Sequence, residues 1–179
     1  MYRRGVDTPT LAEIARAAGV PPGNVFYYFR TRDDLVAAVV DSRVEGIRGL
    51  LIALDEIPDP KARLKALTKV WSDNRDDIAT YGCPMGTLCS ELTKRVSGDY
   101  GAAVIFSTAA DWITSQFRQL GQPDAPEDAM TLLATVQGAA VLAATLREPT
   151  ILMNLIRRLE QWIDSLPTTK RSTTNGDKQ

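Results

Sequence analysis

The sequence predicts an all-α protein, and three observations carry that expectation. Apolar residues recur at three- and four-residue spacing along almost the whole chain, and no segment sustains the period-2 alternation of a half-buried strand. Residues suited to helix N-caps stand just ahead of the periodic runs, as at Thr10 and Thr31. Glycine and proline then punctuate those runs and divide them into helices of ordinary length.

Thr10 is followed three residues later by Glu13, a capping-box pattern that starts a helix at about Leu11. Leu11, Ile14, Ala15 and Ala18 form its inner face, and Gly19 supplies a left-handed exit. Val20 is placed to anchor the turn, and Pro22 suits the first position of a short second helix reaching about Phe29. There Val25, Phe26 and Phe29 are expected to face inward, with Asn24, Tyr27 and Tyr28 outward. Thr31 caps a long third helix, to about Leu54, whose first turn carries Asp33 and Asp34 beside the positive end of the helix dipole. Its stripe runs through Leu35, Val36, Val39, Val40, Ile47, Leu50, Leu51 and Leu54.

After the break at 57–60, one helix over about 60–78 aligns Leu64, Leu67, Trp71 and Ile78, with Asn74 among them. Pro84 opens a helix bearing Met85, Leu88, Cys89, Leu92 and Val96, which stops at Ser97-Gly98. The next runs from about Asp99 to Leu120, with Ile105, Ala109, Trp112, Ile113 and Phe117 in line. From Glu127 to Leu146 the chain is apolar on nearly all sides and rich in small residues, the mark of a buried helix. The last helix spaces Leu152, Leu155, Leu159, Trp162 and Leu166 like a coiled-coil seam. Residues 167–179 are polar and read as a disordered tail.

Composition excludes several classes of function. The 179 residues are 44% hydrophobic, enough for one or two packed units. With net charge −1 and a pI near 5.5, no global basic field announces nucleic acid, so any DNA-binding claim rests on a local patch. Such a patch exists through Arg30, where Arg3, Arg4, Arg16 and Arg30 stand against Asp7 and Glu13. The absence of histidine removes Ser-His-Asp and Cys-His nucleophilic sites and any His-ligated zinc or haem. Cys83 and Cys89 are too few for a disulfide scaffold or an all-cysteine zinc site, and their economy suits a reducing cytoplasm. No glycine-rich phosphate loop or paired carboxylates stand out, so the chain is read as no enzyme, with no cofactor or metal. The longest uncharged run, 129–146, is interrupted by Thr131, Thr135, Gln137 and Thr145. It falls short of the roughly 20 mainly apolar residues of a membrane span.

The chemistry-bearing stretch is 11–35. A helix, a glycine-centred turn and a second short helix form a unit that can present a helix end to a major groove. The DNA-facing set is Thr10, Pro22, Gly23, Asn24, Tyr27, Tyr28 and Arg32. In it Asn24 is expected to read a base edge, and the tyrosines to offer hydroxyls to phosphates and rings to sugars or thymine methyls. Arg32 is expected to meet a phosphate beside the third helix's first amides. The plain alternative is a helical hairpin with exposed tyrosines. Cys83, ahead of Pro84 at a helix start, is a candidate thiol sensor, whereas Cys89 on the apolar stripe reads as inert core.

This stretch resembles the DNA-binding motif of the tetracycline-repressor (TetR) family. That motif has an Ile-Ala pair, an Ala-Gly-Val turn, a Gly-Thr/Asn-aromatic helix and a Tyr-Phe exit toward Lys-x-x-Leu. The matching residues are Ile14-Ala15, Ala18-Gly19-Val20, Gly23-Asn24-Val25-Phe26, Tyr28-Phe29 and Leu35. Phe26 stands where tyrosine is commoner and Arg32 where lysine is, and the later helices are similar to the family only in number and length. The resemblance implies a ligand-responsive transcriptional regulator, a repressor released from a palindromic operator by a small molecule. Residues 1–30 then form a helix-turn-helix DNA-binding unit, and 31–166 a helical ligand-binding and dimerisation bundle.

It further implies a homodimer through the last two helices, with Leu133, Gln137, Val141, Leu152, Leu155, Leu159 and Trp162 at the interface. Two recognition helices about 34–36 Å apart then match successive major grooves of double-stranded DNA. The middle helices resemble the family's ligand-binding region. Trp71, Asn74, Met85, Leu88, Cys89, Trp112, Ile113 and Phe117 are expected around an apolar cavity, with Gln116 or Gln137 as further polar anchors. For any one of them plain core is the alternative. Family members carry a helix ahead of the motif for which Met1–Pro9 is too short. The unit is therefore expected to be truncated, with Leu11, Val25 and Phe29 short of a packing partner and DNA binding weak. The competing function is a helical ligand-binding or adaptor protein whose DNA-binding unit no longer works.

Overall fold

A computed structural model describes residues 2, 5, 6, 9–95 and 101–167, and these described residues form nine helices and no strand. The all-α expectation holds. Arg3 and Arg4, the helix end at Val96 and Ser97-Gly98, the helix start at Asp99 and the tail from 168 lie outside the described residues.

The helix-turn-helix forms as its caps dictate. Thr10 Oγ1 accepts from the Glu13 N–H at 3.2 Å, and the Glu13 carboxylate accepts from the Thr10 N–H at 2.8 Å, starting α1 (Leu11–Ala17). Gly19, at φ +68°, turns the chain out of α1. Val20, expected to anchor the turn, stays exposed; its N–H donates to Ala15 O instead. Pro22 opens α2 (Pro22–Tyr28). A second capping box, Thr31 with Asp34, starts α3 (Arg32–Asp55). There the Thr31 backbone N–H, and then its hydroxyl, hold the Asp34 carboxylate below its usual range. Replacing Thr10 with alanine removes one of these caps. The expected loss is about 1 kcal/mol, read as faster amide exchange in α1 with that of α4 and α7 unchanged.

Tyr2 and Val6, ahead of α1, are tied to the body. Val6 is buried among Val36, Val40, Leu88 and Leu92 and donates its N–H to the Glu91 carboxylate. Tyr2 Oη donates to Gly82 O at 2.6 Å. Arg95 pairs with Asp33 at 3.0 Å, joining the start of α3 to the chain beyond the sixth helix. Of the residues expected to lose cover, Val25 is buried and Leu11 and Phe29 are half-buried.

Where one helix was expected over 60–78 there are two, α4 (Pro60–Asp73) and α5 (Arg75–Tyr81). Asn74, at φ −102° and ψ 17°, breaks them apart, and its side-chain amide donates to Val70 O at 2.7 Å. That local bond offers the backbone an alternative to the helix ladder, which an apolar stripe does not reveal. Then come α6 (Pro84–Leu92), α7 (Ala102–Gln119), α8 (Ala125–Leu146) and α9 (Pro149–Ser165).

The main core gathers α4, α7, α8, α9 and the end of α3 around Leu64, Ile113, Phe117, Leu132, Leu152 and Ile163. A smaller cluster joins α3 to α6 and α7. By length and composition α8 is apolar enough to cross a membrane, more so than the sequence reading allowed. Its inner face, with Ala129, Leu132, Val136, Ala140 and Ala143, is nevertheless buried against the neighbouring helices. Its outer face is not covered, contrary to the expectation of a helix buried all round: Met130, Val141, Leu142 and Leu146 are exposed.

Candidate nucleic-acid interface and ligand cavity

Seven residues make α2, and only Val25 among them is buried. Val25 and Phe29 are four apart and share the inner side. Phe26, one residue on, is turned about 100° away from Val25 and is 50% exposed rather than inward. Tyr27 and Tyr28 are 80% and 74% exposed, their rings edge-to-face at 5.1 Å. Pro22, Gly23 and Asn24 are exposed beside them, so α2 offers a polar and aromatic face without a formal charge. Arg16 and Arg30 flank it, both exposed.

Two expected contacts are already engaged. Thr10 is exposed, but its hydroxyl serves the capping box. The Arg32 guanidinium donates to Pro9 O at 2.7 Å and Val6 O at 3.4 Å. It therefore clamps the leading segment, because two carbonyls of that segment lie within its reach.

A cavity of about 380 Å³ opens between α3, α4 and the start of α6, with Ile78 of α5 and Ala109 of α7 also in its wall. It brings together three of the expected residues, Trp71, Asn74 and Met85, with Ile47, Leu50, Val70 and Arg43. Arg43, Ile47 and Leu50 fall at helical i, i+4, i+7 spacing on α3; Ile47 and Leu50 stand on the expected core stripe, whereas nothing in the periodicity singles out Arg43.

The other expected ligand residues lie elsewhere. Leu88 faces a neighbouring groove of about 280 Å³ with Val6, Ile14 and Leu35. Cys89 is buried in the smaller cluster with its Sγ 3.5 Å from Ala102 O, and burial pushes its thiol pKa up. Ile113 and Phe117 are fully buried core. Trp112 is half-buried and donates Nε1–H to Asp55 at 3.0 Å. Gln116 is buried and accepts from Arg63 at 3.1 Å, which employs it in the core rather than as an anchor. Cys83 lines the cavity but is 5% exposed, with the Gln137 amide 3.5 Å from its sulfur, so it is sheltered from bulk solvent.

The expected interface residues are also redistributed. Leu133, Leu152 and Leu159 are buried in the chain's own core, and Leu155 and Trp162 pack half-buried against it. Gln137 points at Cys83 and Gly86, where a Cβ on Gly86 would overlap its amide oxygen. The α9 seam thus packs within the chain, largely against α8 and α4. Of the seven, Val141 alone is exposed, at 64%. The uncovered apolar surface runs along α8 through Met130, Val141, Leu142 and Leu146, with Ala134 and Gly138 exposed between them; Met153 of α9 is exposed as well.

An aromatic helix presented behind a glycine turn, on a body whose described residues form helices and no strand, has the form of a helix-turn-helix protein. Residues 1–39 match the family described as "Bacterial regulatory proteins, tetR family". Over 82 residues the chain is 34% identical to the HTH-type transcriptional regulator TtgR of Pseudomonas putida, covering 46% of this chain and 30% of that protein. Over 96 residues it is 28% identical to an uncharacterized HTH-type transcriptional regulator in the lacX 3' region of Lactococcus lactis subsp. lactis, covering 52% and 49%. The chain thus spans about half or less of the length of these curated relatives.

In fold it is similar to the crystal structure of a TetR-family transcriptional regulator from Agrobacterium tumefaciens. The TM-score is 0.76 at 23% identity, over 90% of each chain. It is equally similar to regulatory protein TetR from Rhodobacter sphaeroides, with TM-score 0.75 at 24% identity, over 89% of this chain and 90% of that one. Residues 1–39 thus match the tetR family of bacterial regulatory proteins, and the chain as a whole has the fold of solved regulators of that family.

Proposed function

We propose that this chain is a DNA-binding transcriptional regulator. It acts in the cytoplasm as a homodimer that represses from a palindromic operator and is released by a small molecule. The observation that carries the reading is the outer face of α2, where Phe26, Tyr27 and Tyr28 stand exposed in succession beside Asn24. Three neighbouring aromatics left in water favour a partner surface, and sugars, thymine methyls and phosphates match their rings and hydroxyls. The exposed α8 face suits a second copy, whose two-fold axis would set the spacing of the two α2 helices.

The linkage between cavity and DNA unit is α3. Its 24 residues span about 36 Å, with Leu35 and Val36 near the helix-turn-helix and Ile47, Leu50 and Leu51 at the cavity. A ligand that binds better to a dimer with the wrong spacing of its α2 helices draws protein away from DNA by its differential affinity.

The test is selection from random duplexes followed by titration of the recovered site. Changing Asn24 and Tyr27 together to alanine is expected to weaken the specific complex at least tenfold while leaving the circular-dichroism spectrum and melting unchanged. These side chains are exposed and carry no core contact, so a folding defect does not enter. Absence of any sequence-selective retention would leave a helical ligand-binding protein in the regulator's place.

A further inference from the structure

Resting on the reading of the α3–α4–α6 cavity as the effector site, we infer that its ligand is an amphiphilic anion. An apolar body lies among Ile47, Leu50, Val70, Trp71 and Met85, and one carboxylate- or phosphate-type head meets Arg43. Arg43 is the one formally charged side chain in the lining, and no carboxylate lines the cavity among the described residues. It is exposed, and it has no hydrogen-bond or ion-pair partner among the described residues. Glu45, two residues on, pairs with Arg48 at 2.6 Å and not with Arg43.

A guanidinium at the lip of an apolar cavity sorts ligands by charge. It repels a cationic head and gains little from a neutral one. To an oxyanion it presents a planar fork of N–H donors, whose charge-assisted bonds are among the stronger ones available at a protein surface. Ser42 and Asn74 line the same cavity and add polar contacts. Leu51, Leu67, Trp71 and Ala109 are buried, so the apolar body points inward and the head stays at the mouth. A volume of about 380 Å³ lies at the small end of ligand sites, which span roughly 300–1,000 Å³, and suits a single medium-length chain or ring system.

Calorimetric titration of the full chain with decanoate, decyl phosphate, 1-decanol and decylammonium tests the inference. Decanoate and decyl phosphate are expected to bind at one site per chain, decanol more weakly and decylammonium weakest. Whichever acid binds tighter tells a carboxylate head from a phosphate. Arg43→Gln is expected to weaken both anions at least tenfold, equivalent to about 1.4 kcal/mol, and to leave decanol unchanged. Arg43→Lys should recover part of the loss.

Equal binding of decanoate by the Arg43→Gln chain, or decanol binding as tightly as decanoate, would overturn the anionic head while the cavity reading stands. Decanoate binding that survives Val70→Trp, which fills the cavity, would place the anion elsewhere and also overturn the inference. If neither the anions nor decanol bind, the effector-site reading fails together with it.

Discussion

A chain carrying Val141→Asp is expected to fold normally and to elute as a monomer, its mass by light scattering falling to the 19.6 kDa of a single chain. Val141 sits near the middle of the exposed α8 surface, with Leu142 and Leu146 beside it and Met130 farther along the helix. Ala134 and Gly138 on the same surface have almost no side chain and let a second helix approach closely. Across a two-fold axis the substitution enters twice, so two carboxylates would be buried in one apolar interface without a counter-charge. Leaving a buried charge unpaired costs roughly 3–5 kcal/mol, which raises the dimer dissociation constant by a hundredfold or more. Binding to a palindromic site should weaken in parallel. An unchanged dimer mass would sink the assignment of this surface. A charge at Leu155 is no substitute for this experiment, because Leu155 packs against the chain's own core and the same change there reports on folding.

Phe117→Ala is expected to lower the stability of the body by about 3–5 kcal/mol, a large share of the 5–15 kcal/mol typical of a folded domain. The ring is fully buried, and it meets Trp162 of α9 at a centroid distance of 5.5 Å. Three of the helices it locks together, α7, α8 and α9, hold most of the main core, so the cavity left behind cannot collapse without moving one of them. Chemical denaturation followed by far-ultraviolet circular dichroism measures the loss. A change under about 1 kcal/mol, accompanied by weakened ligand binding, would instead return Phe117 to the ligand-contacting role its sequence position suggested.

The parts legible from sequence were those governed by local chemistry. The Thr10–Glu13 cap, Gly19, Pro22 and the Thr31 cap appear where the residue types demand them, and with them the helix-turn-helix. The illegible parts depend on contacts distant in sequence. Arg32 stands where a phosphate ligand would, but carbonyls more than twenty residues earlier take its guanidinium. Periodicity marked the α9 seam correctly as a contact surface, yet it cannot say whether the partner is the same chain or another. Within the chain, Leu152 and Leu159 are buried and Leu155 and Trp162 half-buried, packed chiefly against α8 and α4. A helix apolar all round hides which side is inward, which is why Leu133 and Val141 looked alike and are not. In the cavity, Trp71, Asn74 and Met85 were visible as a polar residue among large apolar ones. Ile113 and Phe117 carry no mark that separates a lining residue from a core residue.

The break at Asn74 falls in the wall of the cavity. It leaves α5 as a short helix with a backbone break at each end, Asn74 on one side and Gly82, at φ +84°, on the other. Ile78 sits on that short helix, while Arg43 and the residues after it belong to the long uninterrupted α3. One part of the chamber wall is therefore a short helix set off by Asn74 and Gly82 and packed into the main core, and another part is a single long helix. If the cavity is the effector site proposed above, its occupants would be ranked by the charge that Arg43 holds on the long helix, giving a receptor strict in sign.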